Sequence, residues 1–359
     1  MVNIKVKKIM VNIKGVRKEG RYRYGYIGNT SNFYNYWFDV ACVKLEGRII
    51  MIEAQVQLLH TLKMPYARVV QKGNIGETYV YALQMYKNQT LVSRIRNDQE
   101  YLSFPSPQTW LTGTASGHTQ TWEYATKNNW FVGVKLNERV TEGIKWSTQI
   151  ARMKFGESYD KNTQLPRLSQ LVEATDANWH GQHLLRVEAA ATPNYDKLLI
   201  AGIWNNYSGH FALYNLDSIN SKLNSYGTTP VPINVFDKEK NAFHIDNFFN
   251  GGSGDTYIDS VQGFDIDNNW NIYVTCQKST TIESDIHPKI VKIPWGSSSN
   301  NNGQAFSLNG IVDNNYYTEL ESIQITGTGN VYVTASYHDK YDANNTVVES
   351  RIYQVFGIL

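Results

Sequence analysis

Apolar and aromatic residues in this chain come in short runs, each set at a regular offset behind a polar anchor. Gln120, Glu188, Gln262 and Glu321 are each followed ten residues later by such a run: Trp130-Phe131-Val132, Leu198-Leu199-Ile200, Ile272-Tyr273-Val274 and Val331-Tyr332-Val333. Gln71 opens a fifth copy with a shorter turn, its run Tyr79-Val80-Tyr81 beginning eight residues on. A fixed offset repeated down a chain marks a repeat architecture. Asn129, Lys197, Asn271 and Asn330 stand one residue before four of the runs. A tight turn between strands favours residues there that tolerate positive φ or hydrogen-bond their own backbone, and Lys197 fits this least well.

Behind each run a loop leads to another strand-like segment, at residues 90–96, 149–155, 210–216, 289–295 and 351–356. Each repeat therefore reads as a meander of at least three short strands, rich in Tyr, Val, Ile and Trp. One meander has two open faces and cannot bury both alone. Stacking the units radially covers the faces, so the pattern predicts an all-β fold, a β-propeller. Anchors at 71, 120, 188, 262 and 321 give five blades. The wide interval between the third and fourth anchors is read as loop, because residues 215–240 carry Ser, Asn, Gly and Pro with little apolar patterning.

Aromatic residues make up 13% of the 359 residues, 24 of them tyrosine, which suits blades that stack on one another. Only 18% are charged, so the surface is polar and largely uncharged, a poor match for nucleic-acid binding. No apolar stretch approaches a membrane span. The charge is unevenly spread. Residues 1–50 hold ten Lys or Arg against three acids, a net of +7, and cluster Tyr22, Tyr24, Tyr26, Phe33, Tyr34, Tyr36, Trp37 and Phe38. The remainder carries a net of −5. This division sets a basic, aromatic N-terminal extension, 1–50, read as accessory, against a propeller domain, 51–359. The extension has no apolar core or cleavage site of a secretory signal.

Cys42 and Cys276 are too few for a disulfide framework, and Cys276 is expected to be a buried free thiol. No zinc-ligand spacing, phosphate loop or nucleophile elbow is present in the sequence, so no metal or cofactor is expected. Asp265, Asp267, Asn268 and Asn269 supply calcium-type oxygens but read as an Asx-rich turn, without the distal Glu of a calcium loop.

Several collinear segments resemble the helveticin J family, large heat-labile bacteriocins of lactobacilli. They include Val69-Val70-Gln71-Lys72-Gly73-Asn74, Gly117-His118-Thr119-Gln120-Thr121-Trp122-Glu123, Gln149-Ile150-Ala151-Arg152, Pro166-Arg167-Leu168-Ser169, Glu188-Ala189-Ala190, Gly209-His210-Phe211 and Glu321-Ser322-Ile323-Gln324. The resemblance runs from about residue 60 to the C-terminus and finds no counterpart for residues 1–50. It implies a secreted antibacterial protein without an established catalytic mechanism. Its partner would be an envelope component of the target cell, a wall polymer, glycan or receptor, with an immunity protein protecting the producer.

In a propeller the innermost strands line a central channel, so equivalent positions form rings. Gln71, Gln120, Glu188, Gln262 and Glu321 would make one ring, and His118, Arg186, Ser260 and Glu319, two residues earlier, the next rung. Such a funnel could hold a ligand, or its side chains could serve only to hydrogen-bond neighbouring blades. Glu188 and Glu321, with Glu123 or Asp265 as a third acid, also suggest a glycoside hydrolase as an alternative to non-enzymatic binding. A plain lectin or adhesin is the third reading. Of the tryptophans near blade turns, most are assigned to packing, and Trp270 is expected to be exposed as a sugar platform.

Overall fold

The computed structural model describes residues 51–136, 146–177, 183–249, 258–277 and 288–359. The extension at 1–50, and Cys42 with it, lies outside the described residues. Five small sheets make a five-bladed β-propeller. Blade I contains Val70–Ile75, Tyr79–Tyr86, Gln89–Arg96 and Thr109–Leu111. Blade II begins at Trp122–Thr126 and continues through Asn129–Val134, Gln149–Lys154 and Arg167–Ser169. Blade III comprises Leu184–Ala191, Lys197–Trp204, Gly209–Asn215 and Phe243–Ile245. Blade IV has Phe264–Ile266, Ile272–Cys276, Lys289–Ile293 and Gln304–Ser307, and blade V has Tyr316–Ile325, Val331–Asp339 and Val347–Phe356. Every anchor falls on the first strand of its blade or just ahead of it.

The circle is closed by the N-terminal end of the domain. Gln55–Lys63 adds antiparallel to Val347–Phe356 as an outer strand of blade V, and Met51–Glu53 pairs parallel with Gln304–Ser307 of blade IV. One segment therefore ties two blades together, and neither of its strands follows the repeat.

Alternate residues of the strands fill layers between blades. The layer between blades I and II holds Tyr81, Trp122, Trp130, Met153 and Phe155, with Trp122 and Trp130 stacked at 5.0 Å. Between blades III and IV lie Phe211, Phe243, Phe248, Phe264, Val274 and the free thiol of Cys276. Trp204 is buried as well, so these indoles pack as expected.

The interval 215–240 is not all loop. Leu216–Tyr226 is an α-helix, capped by the Asn215 side chain, which accepts from the Ser218 amide at 2.9 Å. Leu216, Ile219 and Leu223 are its buried face. Three apolar positions among Ser and Asn make a thin helical stripe, and the cap is what starts it.

The turns differ from expectation by one residue. Positive φ falls on Asn128, Trp270 and Gly329, each just ahead of the named asparagine, and on Tyr195 two residues before Lys197. Asn129, Asn271 and Asn330 instead donate side-chain hydrogen bonds across the turn, to Thr126 O, Asp267 Oδ2 and Thr328 Oγ1. Asp267 accepts from the Asn269 and Asn271 amides, so the acidic run is an Asx turn.

Candidate functional site

The inner strands stitch the five seams through polar side chains. Between blades V and I, the Ile75 amide donates to Gln324 Oε1 at 2.7 Å, and Lys72 Nζ donates to Ile323 O at 2.6 Å. Asn74 donates to Trp122 O between blades I and II. Between blades IV and V the Ile325 amide donates to Asp265 Oδ2 at 2.7 Å. There the backbones approach so closely that a Cβ on Gly263 would lie 2.9 Å from Ser322 Cα.

The densest stitching is at the seam of blades II and III. Glu188 Oε2 accepts from Thr119 Oγ1 (3.0 Å), the Gln120 amide (3.0 Å) and Thr121 Oγ1 (2.6 Å), while Oε1 receives Arg186 Nε at 2.8 Å. Arg186 continues the network: it donates to Val261 O at 2.7 Å, to Gln262 O and to Gln120 Oε1. Gln120 Nε2 then donates to Glu321 Oε2 at 2.6 Å. Gln120, Arg186, Glu188 and Glu321 are all buried. The chain of bonds crosses the channel from blade III to blade V.

His118 and Gln71 form a second group, Nε2 to Oε1 at 2.7 Å. Burial, aided by the Arg186 charge, pushes the imidazole down to about 3. It is therefore neutral, and because an amide oxygen only accepts, its proton sits on Nε2. Trp146 lies beside both, with the His118 ring at 4.2 Å and the Arg186 guanidinium at 4.1 Å. Glu319 meets His338 at 2.7 Å.

Of the nine ring positions, Gln262 contributes a backbone carbonyl, since it precedes its strand. The Ser260 hydroxyl donates to Gln277 O.

A group the sequence reading did not assemble lies deeper. Lys72 is 1% exposed and ion-paired with Glu123 at 2.8 Å. Burial alone would lower the lysine, but Glu123, Asp265 and Glu188 outweigh it and keep it charged. Asp265 is held well above the usual carboxylate range by burial and by Glu123, against the pull of Lys72. The sequence reading named Glu123 and Asp265 as acids beside Glu188 and Glu321, but did not place Lys72, directly after the anchor Gln71, among them.

Beyond it, the turn of blade III spans the channel's other end. The Asn194 amide donates to Asn268 Oδ1 of blade IV at 3.2 Å, and a Cβ on Gly327 of blade V would lie 3.1 Å from Pro193 O. The axis is thus filled by side chains and capped by a turn.

Trp270 does not present an open indole face. It is half-buried against the blade III–IV core, with Lys240 Nζ 3.8 Å from the ring centroid. Tyrosines are exposed instead: Tyr195 at 48%, Tyr207 at 55% and Tyr341 at 95%. Tyr195 and Tyr207 have φ of +56° and +63°, a conformation that costs a bulky residue energy. Tyr195 packs edge-on to Tyr124 of blade II at 5.4 Å.

The architecture defines a five-bladed β-propeller whose channel is closed by its own polar network. The family model for bacteriocin helveticin-J matches residues 51–357. The chain belongs to the helveticin-J family of bacteriocins. Bacteriocin helveticin-J of Lactobacillus helveticus is 37% identical over 314 residues, covering 81% of this chain and 93% of that protein. Among solved structures, the tail fibre of Staphylococcus aureus phage P68 is similar over 84% of this chain and 53% of the fibre, at 14% identity and a TM-score of 0.51. That likeness is one of fold, and this chain spans about half of the fibre's length. The catalytic domain of a Coprinopsis cinerea GH62 α-L-arabinofuranosidase is a weaker match, at 9% identity and a TM-score of 0.42 over 85% of this chain and 97% of that one.

Proposed function

We propose that this protein is secreted and kills related Gram-positive bacteria without enzymatic cleavage, by binding an envelope component and then damaging the membrane. The observation that carries the non-enzymatic reading is the engagement of the channel carboxylates. Glu188 is 1% exposed and accepts four hydrogen bonds, and Glu321 is 1% exposed with Gln120 on one oxygen. A glycoside hydrolase needs one acid that can reach a glycosidic oxygen and a second carboxylate open to the sugar or to water. Here the same groups bind one another and their neighbouring blades. Recognition is assigned to the outer surface, where Tyr195, Tyr207 and Tyr341 are exposed on turns and Asn, Ser and Thr supply uncharged hydrogen-bonding groups.

No helix among the described residues is long and apolar enough to cross a membrane. The damage is therefore attributed to action at the surface rather than to insertion of a helical bundle. The test follows membrane potential and wall release together after purified protein is added to sensitive cells. Depolarisation with an intact wall is expected. Soluble reducing ends appearing before depolarisation would transfer the reading to a hydrolase. Exposed tyrosines also favour glycan adhesion, and cells that are coated yet viable would select a lectin.

A further inference from the structure

Next to Phe243–Ile245, the outermost strand of blade III, lies a cavity of about 580 Å³ lined by Asp176, Lys238, Glu239, Lys240, Asn241 and Ala242. The lining segment is fixed to the fold at both ends. Lys238 forms an antiparallel bridge with Tyr214, and the Glu239 amide donates to Leu213 O at 2.8 Å. At the other end Asn241 O accepts from Trp295 Nε1 at 3.1 Å. The cavity is therefore preformed, and its volume is in the range of small-ligand sites.

Charge within it is not balanced. Both acids are matched: Asp176 Oδ1 accepts from His244 Nδ1 at 2.9 Å, and Glu239 pairs with Lys197 at 3.1 Å. Both lysines are exposed and have neutral partners. Lys238 Nζ donates to the Thr175 carbonyl at 2.7 Å, and Lys240 Nζ stands 3.8 Å from the centre of the Trp270 ring. Neither ammonium has a carboxylate partner among the described residues. A carbonyl oxygen and an indole face attract a cation without cancelling its charge, so two positive charges in this cavity stay open to an anion.

We propose that the cavity binds a phosphodiester group of an anionic wall polymer, with Lys238 and Lys240 as the anion-binding residues. Lysine binds phosphate as a compact point charge, and two of them can take separate oxygens of one phosphodiester. A polymer is favoured over a lipid headgroup because Ala242, the one apolar residue of the lining, is buried, so the cavity offers no apolar side chain to enter a bilayer. The choice of a wall polymer rests on the envelope-binding reading above, while the choice of an anion rests on the cavity alone.

The experiment measures calorimetric binding of the full chain to lipid-free poly(glycerol phosphate). Wild type is compared with the double variant Lys238→Gln/Lys240→Gln and with a control, Lys87→Gln/Lys222→Gln. The control removes the same charge from exposed lysines that lie over tyrosine rings elsewhere. Affinity should fall at least about tenfold in the cavity variant and less than about threefold in the control. Equal losses would overturn the proposal, because they would mean attraction to overall charge, and so would an absence of binding by wild type. If melting shows the cavity variant to be poorly folded, Lys240→Gln is set against Lys222→Gln with the same criteria of selective or equal loss. Phosphatidylglycerol vesicles form a second arm: a cavity variant that loses vesicle binding but keeps polymer binding would make the anion a lipid headgroup and sink the polymer assignment. Labelled protein on sensitive cells separates this inference from the reading on which it rests. Cells bound equally by all three proteins, with no polymer binding, would refute the cavity's role and leave envelope binding standing.

Discussion

Glu188 and Glu321 occupy equivalent anchor positions in two blades, yet the blade II–III seam and the blade V wall treat them oppositely. At the seam, two threonine hydroxyls, a backbone amide and a guanidinium converge on Glu188. On the wall, Glu321 has one amide donor and a second carboxyl group beside it. The same residue type in the same repeat position thus meets four donors, a guanidinium among them, in one place and a single amide donor in the other. What each carboxyl group meets is set by its surroundings, not by the repeat.

The largest effect is expected from breaking the seam. Glu188→Gln cannot accept from Arg186 through its amide nitrogen and leaves a buried guanidinium without its counter-ion. Losing one partner of a buried ion pair costs about 3–5 kcal/mol. Urea unfolding measures this, and a loss under about 1 kcal/mol would show that the seam is not what holds blades II and III together.

A second effect sharpens the contrast from the acid side. His118 and His210 are pushed down to about 3 and about 4, both mainly by burial. Their contribution to stability is present above the ordinary value of 6.5 and is lost as pH falls through the folded values. His210, held between Thr175 and Ser208 hydroxyls at 2.6 and 2.7 Å, is the better probe. His210→Gln should flatten the acid limb of a stability profile between pH 6.5 and 4, and an unaltered limb would assign the acid sensitivity elsewhere.

Smaller changes separate surface from channel. Replacing Tyr195 with Gly relieves a left-handed backbone worth about 1–2 kcal/mol. It also gives up an aromatic contact worth about 0.5–1.5 kcal/mol. Melting temperature should therefore barely move, while binding of labelled protein to sensitive cells should drop. Unchanged binding would remove this turn from the contact surface. The smallest effect is expected from deleting residues 1–50, which we propose to be accessory. The remaining propeller should fold and kill as before, and lost killing by a folded truncation would contradict that view.

Much of the fold could be read from the chain because blade geometry repeats locally. The anchors, the runs behind them and the third strands depend on period-two patterning and turn residues within one blade. What lay outside the repeat was not legible. The closing strand Gln55–Lys63 belongs to blade V through a partner from the other end of the domain, Tyr353 lying opposite Leu58. The helix Leu216–Tyr226 rests on a single cap and three apolar positions. At the site, Gln71 contacts His118, and Gln120, Arg186, Glu188 and Glu321 are joined by hydrogen bonds. Their different surroundings were hidden, because the hydroxyls of Thr119 and Thr121 that meet Glu188 are singled out by no spacing rule. Trp270 looked exposed because it sits among asparagines in a turn, but Lys240, far along the chain, covers it.

The most direct test of the account is the killing activity of Glu321→Gln. A structural carboxyl group predicts full killing by the folded variant, with no change in wall release. Loss of killing by a protein of unaltered stability would mean that Glu321 acts on a substrate, and the reading of the channel as a self-satisfied network would be wrong.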